Sequence, residues 1–200
     1  MTHTLARLVA AIALLALPLT AFAWDGCKVS AERKGGIDTT GAERVEIIAR
    51  AGDLTVRPAS GSALGAAGRA CASHQKFLDQ TQLHVERAGN AIQVRVRTPE
   101  DMSGIGVFYA YLDLQVVVPE GLPVEITDSS GDVSVDGVRV ARITDSSGDM
   151  IIERITGDVT IDRDSSGDVF VADVGGNVEL IADGSGLVRV TDVKGTVRLP

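Results

Sequence analysis

From residue 121 onward, apolar side chains recur at every second position in short bursts: Val133/Val135, Met150/Ile152, Val159/Ile161, Val169/Val171, Val178/Leu180, Val188/Val190 and Val197/Leu199. Alternation over three or four residues, closed off by Gly, Asp and Ser, predicts short half-buried strands. The punctuation repeats as well. Asp-Ser-Ser-Gly-Asp begins at Asp128, Asp145 and Asp164, and a decayed Asp-Gly-Ser-Gly-Leu begins at Asp183, at offsets of 17, 19 and 19 residues. Gly131 opens a series of turn glycines. Gly148, Gly157, Gly167, Gly176, Gly186 and Gly195 then fall 9 or 10 residues apart.

Two strands and two turns per 19 residues make one rung of a stack, and a repeat of that length outranks local propensity in assigning a fold. The expected architecture is all-β, a single-stranded parallel β-solenoid with strands of successive rungs about 4.8 Å apart. Val and Ile would form inward ladders, because one rung alone buries almost nothing. The glycines would supply positive-φ corners, and the Asp and Ser before them would accept backbone N–H groups as in Asx-turns.

Upstream the pattern is β-like but less regular. Val45/Ile47 and Leu54/Val56 alternate; residues 58–80 read as a Gly/Ala/Ser-rich insertion; "LHVERAGNAIQVRV" reads as a hairpin around Gly89-Asn90; and residues 107–118 read as one longer strand. The domain map is therefore a leader over 1–23, an N-terminal segment over 24–41, irregular strands and cap with the insertion over 42–120, and regular repeats over 121–200. A separate small β-sandwich before residue 121 is the alternative.

The leader changes the compartment. Arg7 is the only charge in residues 1–23, Leu8 to Leu19 is almost wholly apolar, and Ala21-Phe22-Ala23 is a small-residue cleavage site. Together they read as a secretory signal peptide, too short to span a bilayer comfortably. Export across the inner membrane, to the periplasm or cell surface, follows, with no transmembrane segment after cleavage. In an oxidising compartment Cys27 and Cys71 are expected to pair, which would stabilise the fold by about 4 kcal/mol on the chain-entropy model. Cys71-Ala-Ser-His74, with His84 nearby, offers a weaker metal-ligand alternative that lacks a second matching pair.

Charge and missing chemistry narrow the function. The formal net charge is −8, so phosphate backbones are unlikely partners. Stacking would place Asp128, Asp145, Asp164 and Asp183 in one column with Asp132, Asp149 and Asp168 beside it. Carboxylates about 5 Å apart repel by roughly 0.9 kcal/mol even in water. A weak cation column, calcium above all, is one relief; arginines such as Arg142, Arg154 and Arg163 are another. "IDTTG" at 37–41 has one residue too many for the Asp-Thr-Gly of aspartic proteases. No serine elbow, phosphate loop, zinc helix or dinucleotide fingerprint occurs. No catalytic residue, cofactor or resident metal is expected, and the chain reads as a non-enzyme.

The signal peptide, the irregular strands, "VVVPEGLPVEI" and the repeated "ITDSSGDVSV" and "RITGDVTI" units resemble a bacterial β-strand-repeat family known as putative adhesin, or toast-rack. The resemblance spans about residues 42–200. It implies a right-handed solenoid and either adhesion at the cell surface or a scaffold role in envelope-stress and membrane-linked systems, and it carries no catalytic residues. The expected partner is a protein or polysaccharide, with end-to-end contact through the last rung, "GTVRLP", as a further possibility because an uncovered strand is a pairing template. A calcium-stabilised surface adhesin is the alternative.

Overall fold

The computed structural model describes residues 26–200, so the signal peptide expected over 1–23 lies outside the described residues. The fold is all-β, with one short helix, α1 (Gln75–Gln80). Two coil-forming strands, β2 (Arg44–Ile48) and β3 (Leu54–Ala59), come early. The repeat region supplies β8 (Val124–Thr127), β9 (Val133–Asp136), β10 (Ala141–Thr144), β11 (Met150–Ile155), β12 (Val159–Arg163), β13 (Val169–Val174), β14 (Val178–Leu180), β15 (Val188–Val193) and β16 (Val197–Arg198). Even-numbered strands of this set join one sheet and odd-numbered strands the other, and every pairing among them is parallel.

The register explains the alternation. One inward ladder runs Val45–Val124–Ala141–Val159–Val178 and a second Ile47–Ile126–Ile143–Ile161–Leu180. Facing them are Leu54–Val133–Met150–Val169–Val188 and Val56–Val135–Ile152–Val171–Val190. Most of these side chains are at most 3% exposed and belong to one core cluster; Val188 and Val190, in the last coil, are only partly buried. Each fully buried Val, Ile or Leu contributes about 1.5–3 kcal/mol of transfer free energy. Like stacked on like keeps the coil cross-section constant, so the pattern can be repeated without repacking.

The chain does not stack in sequence order. β6 (Ala91–Arg97) pairs with β2, and β7 (Ala110–Pro119) pairs with β3, on the side away from the repeats. The coil made by residues 44–59 is therefore clamped between a later coil, β6–β7, and β8–β9. Its corner even carries the repeat's chemistry, since Gly52-Asp53 precedes Leu54 just as Gly131-Asp132 precedes Val133, and Ala51 bridges Ser130.

The sheets are mixed, which corrects the expectation of a single-stranded parallel solenoid with an irregular β N-terminal part: that part adds antiparallel strands to both sheets. β1 (Val29–Asp38) pairs antiparallel with β4 (Ala63–Ala72), β4 pairs antiparallel with β7, and β5 (Gln82–Ala88) forms an antiparallel hairpin with β6. The N-terminal segment and the supposed insertion over 58–80 are thus largely two ten-residue strands that close the stack's first end. Small residues permit this: a Cβ on Gly68 would sit 2.2 Å from the Asp113 carbonyl oxygen, so only glycine allows β4 to lie against β7 there. Cys27 is disulfide-bonded to Cys71 with Cα atoms 5.5 Å apart, fixing the start of β1 to the end of β4.

Candidate functional site

The aspartates of the repeat separate into two columns with different surroundings. Inward parity continues past the strand: Val124 and Ile126 point into the core, and so does Asp128. Asp128, Asp145 and Asp164 are 2%, 0% and 1% exposed, and neither carboxylate oxygen of any of them has a hydrogen-bond partner; one oxygen of Asp183, at the top, is likewise unpartnered. The N–H groups of Ser129, Ser146, Ser147, Ser165 and Ser166 lie near enough to pull these carboxyls down, as in a loose Asx-turn, without reaching hydrogen-bond geometry. Burial pushes Asp128 up to about 7, against the pull of the nearby Ser129 N–H and with the help of the Asp145 charge. Burial also raises Asp145, and it takes Asp164 to about 6, followed by the charges of Asp145 and Asp183. Below the column the equivalent place in the 44–59 coil is filled by Ala49, 4% exposed, so the acid column starts on an apolar floor.

The second column has its acceptors occupied. The N–H of Asp53 donates to Asp113 Oδ1 at 3.1 Å, that of Asp132 to Asp53 at 3.1 Å, that of Asp149 to Asp132 at 3.0 Å, that of Asp168 to Asp149 at 2.9 Å, and that of Leu187 to Asp168 at 2.8 Å. Each aspartate thereby satisfies a corner amide of the next coil. At the opposite corner Asp158 Oδ1 accepts from Asn177 N–H at 2.7 Å, and Asn177 Oδ1 accepts from Thr196 N–H at 2.9 Å. One oxygen of each of these carboxylates thus ties its coil to the next.

The glycines divide the same way. Gly131, Gly148, Gly167 and Gly186 have φ between 120° and 143°, as a positive-φ corner requires. Gly157, Gly176 and Gly195 do not have positive φ, which corrects the expectation for them. They are small because a Cβ would meet Arg139 O at 2.7 Å, Asp158 Oδ1 at 2.3 Å and Asn177 Oδ1 at 2.5 Å respectively. The left-handed residues of that corner are Arg154, Asp173 and Asp192, near φ 55°.

Arginines expected to neutralise the columns serve elsewhere. Arg142 forms a forked pair with Asp162 at 2.7 and 2.8 Å, Arg154 pairs with Asp136 at 2.7 Å, and Arg163 is exposed. The Cys71–His74 metal alternative is resolved by the disulfide and by an aromatic cluster, in which His74 packs 5.8 Å from Phe77 and 5.5 Å from Phe108; His84 is exposed on β5. Among the described residues no group of three or more His, Cys, Asp or Glu side chains is placed to hold a metal ion. Asp38 of "IDTTG" is held down to about 2 by hydrogen bonds from Thr40 and Ser62, and its loop is a structural closure.

What faces solvent is a set of rows. On one sheet Gln93, Glu46, Glu125, Arg142, Thr160, Glu179 and Arg198 lie side by side, one per coil. On the other run Gln115, Thr55, Ser134, Ile151, Phe170 and Arg189. Sequence reasoning missed one further feature, a cleft of about 450 Å³ lined by Arg50, Arg95, Val96, Arg97, Thr98, Pro99 and Glu100. Its signal was Arg95 and Arg97 at strand spacing, but Arg50 is brought to it only by the out-of-order stacking.

A putative cell adhesion protein from Clostridium sporogenes has a similar structure, with a TM-score of 0.50 at 11% identity over 85% of this chain and all of that one. The likeness is one of fold. Putative adhesins from Parabacteroides merdae and Bacteroides fragilis align over 88% and 85% of the chain and over 98% and 96% of their own, at 6% and 9% identity, with TM-scores of 0.28 and 0.30. No family profile matches the chain, and no curated protein matches it. A disulfide, and no helix among the described residues long and apolar enough to cross a membrane, are compatible with an extracytoplasmic protein.

Proposed function

We propose that the chain is a non-enzymatic, exported β-solenoid module that holds an extended protein or polysaccharide ligand against the flat outer faces of its coils, in the periplasm or at the cell surface. One observation supports this reading above the rest: each coil contributes one residue to each outward row, so the row from Gln93 to Arg198 repeats at the strand spacing, about 4.8 Å. A regular extended ligand can touch several coils at once, and many weak contacts sum without any one of them needing a deep pocket. The disulfide favours export, and the likeness in fold to the Clostridium cell adhesion protein favours adhesion over a purely internal scaffold. A calcium-stabilised version would need ligands converging on one point, whereas the buried acids are spaced one per coil.

Purified residues 24–200, applied to arrays of polysaccharides and envelope proteins, are expected to give saturable binding. Replacing Thr160 and Arg198 with Glu should weaken it while leaving the melting temperature within a few degrees. Turnover of a generic hydrolase substrate, abolished by a single substitution, would overturn the proposal.

A further inference from the structure

The arginine-lined cleft stands apart from the rest of the surface. The chain carries 27 acidic and 19 basic residues, yet Arg50, Arg95 and Arg97 converge on one concavity with a single acid, Glu100, in its lining. None of the three arginines forms an ion pair among the described residues, although Arg44, Arg142, Arg154 and Arg198 all do. The topology makes the cluster. Arg95 and Arg97 point outward from β6, on the face opposite buried Val94 and Val96, and Arg95 pairs across to Ile48 of β2. Arg50 follows two residues beyond Ile48 and so emerges beside the end of β6. Its backbone is fixed there by Ser130 N–H donating to the Arg50 carbonyl at 2.8 Å. Pro99, buried, and Thr98 form the wall from which Glu100 projects.

Three guanidinium groups around a single lining carboxylate leave the concavity net positive, with Arg95 also donating to Gln93 Oε1 at 3.2 Å, and in a net-acidic protein the arrangement is not explained by general surface charge. Each presents a planar fork of donors that matches a two-oxygen anion. The volume lies within the usual range for small-ligand clefts, about 300–1,000 Å³.

We propose that this cleft is an oxyanion-binding site, taking the sulfate, phosphate or carboxylate group of an acidic polysaccharide. The inference deepens the extended-ligand reading and rests on it. Arg95 and Arg97 grip the anion from the strand, Arg50 closes the opposite side, Thr98 Oγ1 is the neutral donor, and Glu100, by repulsion, tempers affinity for the anion.

The test uses dextran sulfate, neutral dextran and inorganic sulfate as probes in calorimetric titration of the exported chain. Dextran sulfate should bind with an affinity that falls as salt rises, neutral dextran should not bind, and inorganic sulfate should compete. Arg95→Gln combined with Arg97→Gln should weaken binding at least about tenfold, the scale of losing one charge-assisted contact, with an unchanged thermal melt. Glu100→Gln should strengthen it several-fold, which a merely structural role would not produce. Arg163→Gln, exposed and outside both the cleft and the outward rows, serves as the control. Dextran sulfate binding that is indifferent to the arginine pair, or no binding at all, overturns the site. Array binding that survives the arginine substitutions would remove this inference while leaving the face-binding proposal standing.

Discussion

Replacing Asp145 with Asn tests how the buried acid column is kept in the fold. Asp128 is pushed up to about 7 by burial and then by the Asp145 charge, from an unfolded value of about 3.9. A shift of about three units corresponds to ~4 kcal/mol, of which roughly half is retained once water near the corner screens it. The sign is fixed by linkage: a carboxyl whose folded pKa is raised adds stability below its unfolded pKa and loses it as pH rises through the folded one. Asp128, Asp145 and Asp164 titrate as a coupled set, so the fold is expected to be less stable at pH 8 than at pH 5 by about 2 kcal/mol or more. For a chain of this size that is a fall in Tm of about 4–8 °C. The Asn side chain is neutral at every pH and can donate an N–H to the Asp128 carboxylate, so Asp145→Asn should melt higher than the wild type at pH 8 and should flatten the pH dependence. Circular-dichroism melts from pH 4.5 to 8.5 read both effects. A wild-type protein equally stable at pH 5 and 8, or an Asn variant destabilised at both, would refute the claim that buried, unpartnered charge governs this corner.

Three further outcomes are expected from the same melting assay. Cys27→Ser should lower stability by about 2–4 kcal/mol, and adding a reductant should do the same to the wild type and nothing to the variant. Gly148→Ala should cost about 3 kcal/mol or more, because φ is 132° and the new Cβ would lie 1.9 Å from Gly131 O, whereas Gly26→Ala, with open space around it and no positive φ, should lose far less. Asp158→Ala should cost about 1 kcal/mol by leaving the Asn177 N–H without its acceptor, and Asp158→Asn should restore most of it.

The repeats were legible because alternation and turn chemistry agree over residues 121–200 and each coil meets only its neighbours. The place of residues 44–59 was not. Its corner reads Ala-Arg-Ala-Gly-Asp, with Ala49 where the later coils have a buried Asp and Arg50 where they have Ser, and its partner coil lies 79 residues away at Asp128. Long-range strand pairing leaves no local mark. β1 and β4 were read as a loose segment and an insertion because Ala and Gly are weak strand formers; here they are chosen for close approach between chains. The sequence places the aspartates in two adjacent columns without separating their surroundings, although parity from Val124 and Ile126 already puts Asp128 inside and Asp132, beyond the corner, outside. The arginine cleft needed the fold itself, since Arg50 and Arg97 are neighbours only after the coils stack out of order.

The account stands or falls first on compartment. Lys28, Lys34, Lys76 and Lys194 are the chain's four lysines and all are exposed, so a membrane-impermeant amine reagent can report where the protein is. Applied to intact cells and then to cells with an opened outer envelope and intact inner membrane, it should label the protein in one or both cases while a cytosolic marker stays unlabelled. Labelling only after the inner membrane is lysed, together with the cytosolic marker, would contradict an exported binding module.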